Sequence, residues 1–117
     1  MKELIAVIRP GRAKLTKQKL AEKGFFAYTE ERVSGCGKQK GLRYSQGGVD
    51  SETETRIPFL PKRMLTILVN DEDLDPVISI LVEANKTGEI GDGKIFICPV
   101  DDAVRIRTDE RSNAALV

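Results

Sequence analysis

The apolar pattern of this chain reads strand, helix, strand and then, after a long interruption, strand, helix, strand again. "ELIAVIR" at 3–9 is short, rich in isoleucine and valine, and stopped by Pro10 and Gly11, as a strand is. From Ala13 the text turns basic and helical. Thr16, Leu20 and Ala21 fall near one side, Lys14, Lys17 and Lys19 mostly face water, and Gly24 ends the helix. "FFAYTEERVSG" at 25–35 reads as extended, with Phe26, Tyr28 and Val33 as the inward or sheet-packing residues. "KRMLTILV" at 62–69 is a further strand. "LDPVISILVEAN" at 74–85 spaces Leu74, Val77, Ile78, Leu81 and Val82 as the apolar stripe of a helix. Pro76 fits its first turn with Asp73 as cap, because first-turn amides have no intrahelical partner to lose. "KIFICPV" at 94–100 follows as a strand and "AVRIR" at 103–107 as a short extended piece.

Two βαβ units in succession predict an α+β fold of the ferredoxin-like βαββαβ kind, an antiparallel sheet with both helices on one face. A chain of 117 residues makes one such domain, 1–117. Residues 35–60 break the pattern with five glycines, charges of both signs and no sustained period. A long structureless loop inside a small domain is uncommon, so this one, between strands 2 and 3, is expected to be functional.

Composition narrows the function classes. With 19 basic and 18 acidic residues the formal net charge is +1, too balanced for wrapping nucleic acid or coating an anionic membrane. The apolar run before Arg9 is too short for a signal-peptide core or a membrane span, so no membrane insertion and a cytoplasmic location are expected. Cys36 and Cys98 form no CxxC pair and the chain has no histidine, which points away from zinc, a disulfide framework and histidine-dependent triads.

Three clusters carry candidate chemistry. In "TGEIGDGKIF" at 87–96, the run from Gly88 to Lys94 nearly spells the phosphate-loop pattern GxxxxGK. Ile95, however, stands where magnesium needs a hydroxyl, and the segment leaves a helix instead of entering one. Two readings stay open: a helix C-cap at Gly88 followed by a glycine turn, or an anion-binding concavity of glycine amides with Lys94 adding charge. "GCGKQKG" at 35–41 is either a flexible loop entrance or a second glycine and lysine cradle. Arg105 and Arg107, two apart, leave one face of an extended segment. Such a pair suits a polyphosphate, although a solvated strand face more often explains it.

Taken together, the run at 87–96, "GCGKQKG", "FLPKRM" and "VRIRT" resemble the signatures of the PII signal-transduction proteins over essentially the whole length. The chain is most similar there to the nitrogenase-regulatory PII-like proteins, encoded as a pair beside nitrogenase genes, and resembles the second member. The resemblance implies a trimer with nucleotide sites between neighbours, a T-loop at about 38–60, a B-loop at about 86–94 and a C-terminal segment at 101–117. ATP and ADP would compete for Gly35, Gly37, Lys38, Gly91, Asp92, Gly93, Lys94, Arg105 and Arg107, with Thr29 near the base. 2-Oxoglutarate would bind beside ATP through Mg2+, with Gln39 as a metal ligand, Lys62 on the distal carboxylate, and Lys40 and Gly41 closing the loop base.

The implied activity is non-enzymatic sensing of ATP, ADP and 2-oxoglutarate. The implied target is dinitrogenase, inhibited by docking and relieved by ATP with 2-oxoglutarate, and the oligomer is a homotrimer or a mixed one with the paired homologue. An ammonium transporter or a nitrogen-metabolism enzyme is the alternative partner. A small acyl- or phosphoryl-hydrolase using Arg105, Arg107 and Lys94 is the alternative class, disfavoured because no activated nucleophile accompanies the cations. Tyr44 sits near the loop's start and not its apex, so uridylylation is not expected. Cys36 stands where the family more often has a basic residue and reads as neutral; Ser45 and Ser51 read as exposed loop serines.

Overall fold

Residues 1–36, 43–44, 55–56 and 59–116 are described in the computed structural model of the chain. The strands are β1 (Lys2–Ile8), β2 (Thr29–Gly35), β3 (Arg43–Tyr44), β4 (Thr55–Arg56), β5 (Leu60–Val69) and β6 (Lys94–Pro99). The helices are α1 (Ala13–Glu22) and α2 (Leu74–Asn85). Four strands form one sheet in the order β2-β5-β1-β6, with every neighbouring pair antiparallel. This is the ferredoxin-like arrangement: each βαβ unit is split by a strand of the other. β3 and β4 pair as a separate two-stranded ribbon inside the stretch expected to be structureless.

Period-2 alternation decides which face is buried. Leu4, Ala6 and Ile8 of β1 and Leu65, Ile67 and Val69 of β5 point to one side and are at most 4% exposed. Ala13 and Leu20 of α1 and Val77 and Leu81 of α2 join them in a single apolar cluster, so both helices cover the same face. Where the helices meet, the Asn85 amide donates to the Thr16 hydroxyl at 3.0 Å and to the Leu81 carbonyl at 2.8 Å. Of the stripe expected on α2, Leu74 and Ile78 pack at the edge of the cluster, while Val82 stays 43% exposed.

Several expectations are corrected. α1 closes with Gly24 at φ +86°, its N–H donating to the Ala21 carbonyl and that of Phe25 to the Leu20 carbonyl. This six-residue closure turns the residue after the glycine toward the core. Phe25, not Phe26, therefore packs inward, and Phe26 is exposed. Ala21 is likewise exposed, and Ala13 takes its place in the core. The Asp73 side chain makes no capping hydrogen bond; a 3-10 turn at Asp71–Asp73 leads into α2 instead. Its three carboxylates favour the positive end of the helix. "AVRIR" is not a strand: Val104 makes one isolated bridge to Arg111, and residues 106–108 turn. No helix among the described residues is long and apolar enough to cross a membrane.

Candidate functional site

The register of the sheet builds the site. Ile8 faces Arg63 across β1 and β5, and Val7 faces Lys94 across β1 and β6. Continued past the end of β1, those registers set Arg9 across from Lys62 on one side and Asp92 on the other. Alternation thus puts Arg9, Lys62 and Asp92 in one row at the rim of the sheet face opposite Leu4, Ala6 and Ile8.

Arg9 and Asp92 hold the glycine loop onto that row. The Asp92 carboxylate accepts from the Thr87 hydroxyl, from the backbone N–H of Thr87 at 2.8 Å and of Gly88 at 2.9 Å, and from Arg9 Nη1 at 2.6 Å. Arg9 also donates from Nη2 to the Ile90 carbonyl at 3.0 Å. These donors, the Thr87 hydroxyl first among them, hold the Asp92 carboxyl well below its ordinary range. Lys62 Nζ reaches the Gly91 carbonyl at 2.7 Å. Burial, with Arg9 adding repulsion, pushes the Lys62 ammonium down, and Asp92 opposes the shift. An anion placed beside Lys62 would relieve both costs.

The loop needs glycine where it meets the sheet. Gly93 has φ +107°, and a Cβ there would lie 1.9 Å from the Val7 carbonyl oxygen. α2 ends at Asn85 with Lys86 extended beyond it, so Gly88 at φ +86° belongs to the loop and is not the helix cap. The simple cap-and-turn reading of 87–96 is thereby replaced by a loop fastened to the sheet.

The expected site residues separate into groups. Gly91, Asp92 and Lys62 come together at Arg9, and Gly93 and Lys94 follow where the loop joins β6 against Val7. Gly35 adjoins them, since a Cβ on it would stand 3.4 Å from Lys62 Cγ. Thr29 lies on β2 and Lys94 on β6, the two outer strands, so three strand spacings of about 4.8 Å separate them. Arg105 and Arg107 do not share an extended face. Arg105 is tied to its own C-terminal segment through Glu110 at 3.1 Å and the Ala114 carbonyl at 2.9 Å, and Arg107 is exposed in the turn. Gly37, Lys38, Gln39, Lys40 and Gly41 lie outside the described residues, as do Ser45 and Ser51.

A cavity of about 240 Å³ opens under the loop between α2 and β6, lined by Ile8, Leu81, Val82 and Ile95 with Lys86 and Lys94. It is smaller than the roughly 300–1,000 Å³ usual for ligand pockets. Arg9 and Thr87 were not anticipated from the sequence. The signal for Arg9 was a cation at the end of a central strand, but its partners depend on strand order.

The chain matches the family described as nitrogen regulatory protein P-II over residues 1–110. "Nitrogen fixation nifHD region glnB-like protein 2" of Methanococcus maripaludis is 45% identical over 121 residues, covering 99% of this chain and 100% of the relative. The protein of the same description from Methanobacterium ivanovii is 43% identical over 122 residues, with 100% of both chains covered. "Nitrogen regulatory protein P-II 2" of Methanothermobacter thermautotrophicus is 45% identical over 116 residues, covering 99% of this chain and 97% of the relative.

Proposed function

Because the chain belongs to the family of nitrogen regulatory protein P-II, we propose that it is a signalling protein that senses ATP, ADP and 2-oxoglutarate and regulates nitrogenase by direct docking. The observation that carries the reading is the Lys62–Arg9–Asp92 row, a cationic rim fastened to a glycine loop and ending beside Gly35, where the long loop begins. An anion held there touches the base of the loop.

The nucleotide site is completed by a second copy. Thr29 and Lys94 stand on opposite edges of one sheet, and the cavity between α2 and β6 is too small for a nucleotide, which supports sites shared between neighbouring copies, as in a trimer. In that assembly Lys94, Gly91 and Gly93 of one copy face the phosphates together with Arg105 and Arg107 of the next. Asp92 holds the loop, because its carboxylate is already engaged within it. Lys62 takes the distal carboxylate of 2-oxoglutarate and leaves the Gly91 carbonyl to do so. Mg2+ would enter with the nucleotide, held in part by the side-chain oxygen of Gln39, and would supply positive charge at the phosphates. No turnover is required: the ligands differ in affinity between loop positions, and that difference is the signal.

The nif-region descriptions of the relatives support dinitrogenase as the target. The test is co-purification with dinitrogenase in the presence of ADP, and again with Mg-ATP and 2-oxoglutarate. Retention with ADP and release with the second pair is expected. Association unchanged by the ligands, or absent in both, contradicts the proposed target; recovery of an ammonium transporter or a metabolic enzyme instead would reassign it.

A further inference from the structure

We propose that Glu110 is a positioning residue for Arg105, pre-orienting its guanidinium for a phosphate of the bound nucleotide. This rests on the reading above that Arg105 meets that phosphate. The chain folds back around one side chain. The Arg105 N–H donates to the Glu110 carbonyl at 2.8 Å, and the Arg105 carbonyl accepts from the N–H of Asp109 at 2.8 Å. Glu110 Oε1 accepts from Nη1 at 3.1 Å and the Ala114 carbonyl from Nη2 at 2.9 Å. The Arg105 side chain is only 23% exposed in consequence, while its neighbour Ile106 is 95% exposed.

The closure is built into the backbone. Asp109 and Ser112 both take positive φ, 60° and 55°, and Asp102 draws Arg111 and Ser112 together to seal the turn. A guanidinium has five donors in a rigid plane, so the Glu110 carboxylate on Nη1 and the Ala114 carbonyl on Nη2 together fix the direction of the whole fork. Rotamer freedom removed in the free protein is not lost again on binding. Glu110 is 46% exposed, so its charge is screened by water while its hydrogen bond still fixes direction.

The test compares Glu110→Ala, Glu110→Gln and Arg105→Gln with the wild type by ATP titration. Glu110→Ala should weaken ATP binding about fivefold. Glu110→Gln, whose amide oxygen can still accept from Nη1, should stay within about twofold of wild type. Side-chain 15N spectra should show slow Nη rotation of Arg105 in wild type and fast averaging in Glu110→Ala, with unchanged melting and oligomeric state. Equal or tighter ATP binding by Glu110→Ala would overturn the proposal, as would unaltered Arg105 spectra. If Arg105→Gln binds ATP as wild type does, the phosphate contact of Arg105 falls, and this inference with it. If only Glu110→Ala is silent, this inference alone falls.

Discussion

The loop at 87–94 and the segment at 101–116 are each closed by an aspartate, but they are fastened to different things. Asp92 gathers Thr87 and Gly88 and then, through Arg9, ties the loop to the end of the central strand β1. Asp102 gathers Ala103, Arg111 and Ser112, all within its own segment. The first loop therefore inherits the rigidity of the sheet, whereas the second owes its shape to contacts a few residues away. The proposed sensor would use both: a fixed frame to read the ligand, and a self-contained arm to bring cations to a neighbouring copy.

Breaking the fastening to the sheet should have the largest effect. Gly93→Ala introduces a Cβ against the Val7 carbonyl and strains a residue at φ +107°. A loss of about 3 kcal/mol in urea unfolding is expected from strain and overpacking together. Gly88→Ala, equally left-handed but with open space around it, should cost only about 1 kcal/mol, since strain acts alone there. Similar losses at both positions would mean that the contact with β1 does not hold the loop.

Ligand binding sharpens the same contrast. Lys62→Met should abolish calorimetric binding of 2-oxoglutarate while leaving ATP affinity within about twofold, since in the proposed site the lysine meets the carboxylate and not the phosphates. The Lys62 pKa is lowered in the free protein, so a carboxylate partner raises it again and binding at alkaline pH should take up protons. Titrations in buffers of different ionisation enthalpy would read that uptake, and its absence would remove Lys62 from the site. Asp92→Asn should weaken ATP binding about tenfold by loosening the frame.

The smallest effect belongs to the self-contained segment. The Arg111 guanidinium, with the Ala103 and Ser112 donors, lowers Asp102 from 3.8 to about 2. Its stabilising contribution is complete above the ordinary value of 3.8 and lost as pH falls toward about 2. Asp102→Asn should flatten the acid limb of the melting curve in that window. A large loss of stability at neutral pH would show instead that the segment helps to support the core.

The sequence carried the fold further than the site. Alternation in "ELIAVIR" and "KRMLTILV" and the stripe of α2 report burial directly, because a period of two or 3.6 is a statement about faces. Phe25 against Phe26 was missed because a glycine closure, not a period, sets which ring turns inward. Lys62, Gly91, Asp92, Gly93 and Lys94 are singled out in the sequence by the resemblance of their motifs to the PII family, and the sheet registers bring their segments to one rim. Arg9 was not, because its partners are set by strand order and by registers continued past the end of a strand. The separation of Arg105 from an extended face was equally hidden: the turn at 106–108 is stabilised by Glu110 and Ser112, several residues downstream.

The most direct measurement is calorimetric titration of 2-oxoglutarate into the purified protein with Mg-ATP, and again with Mg-ADP. A sensor of the proposed kind binds 2-oxoglutarate with ATP and not with ADP. Equal binding in the two titrations, or none in either with ATP shown to be bound, would contradict it and leave the Lys62 rim without its ligand.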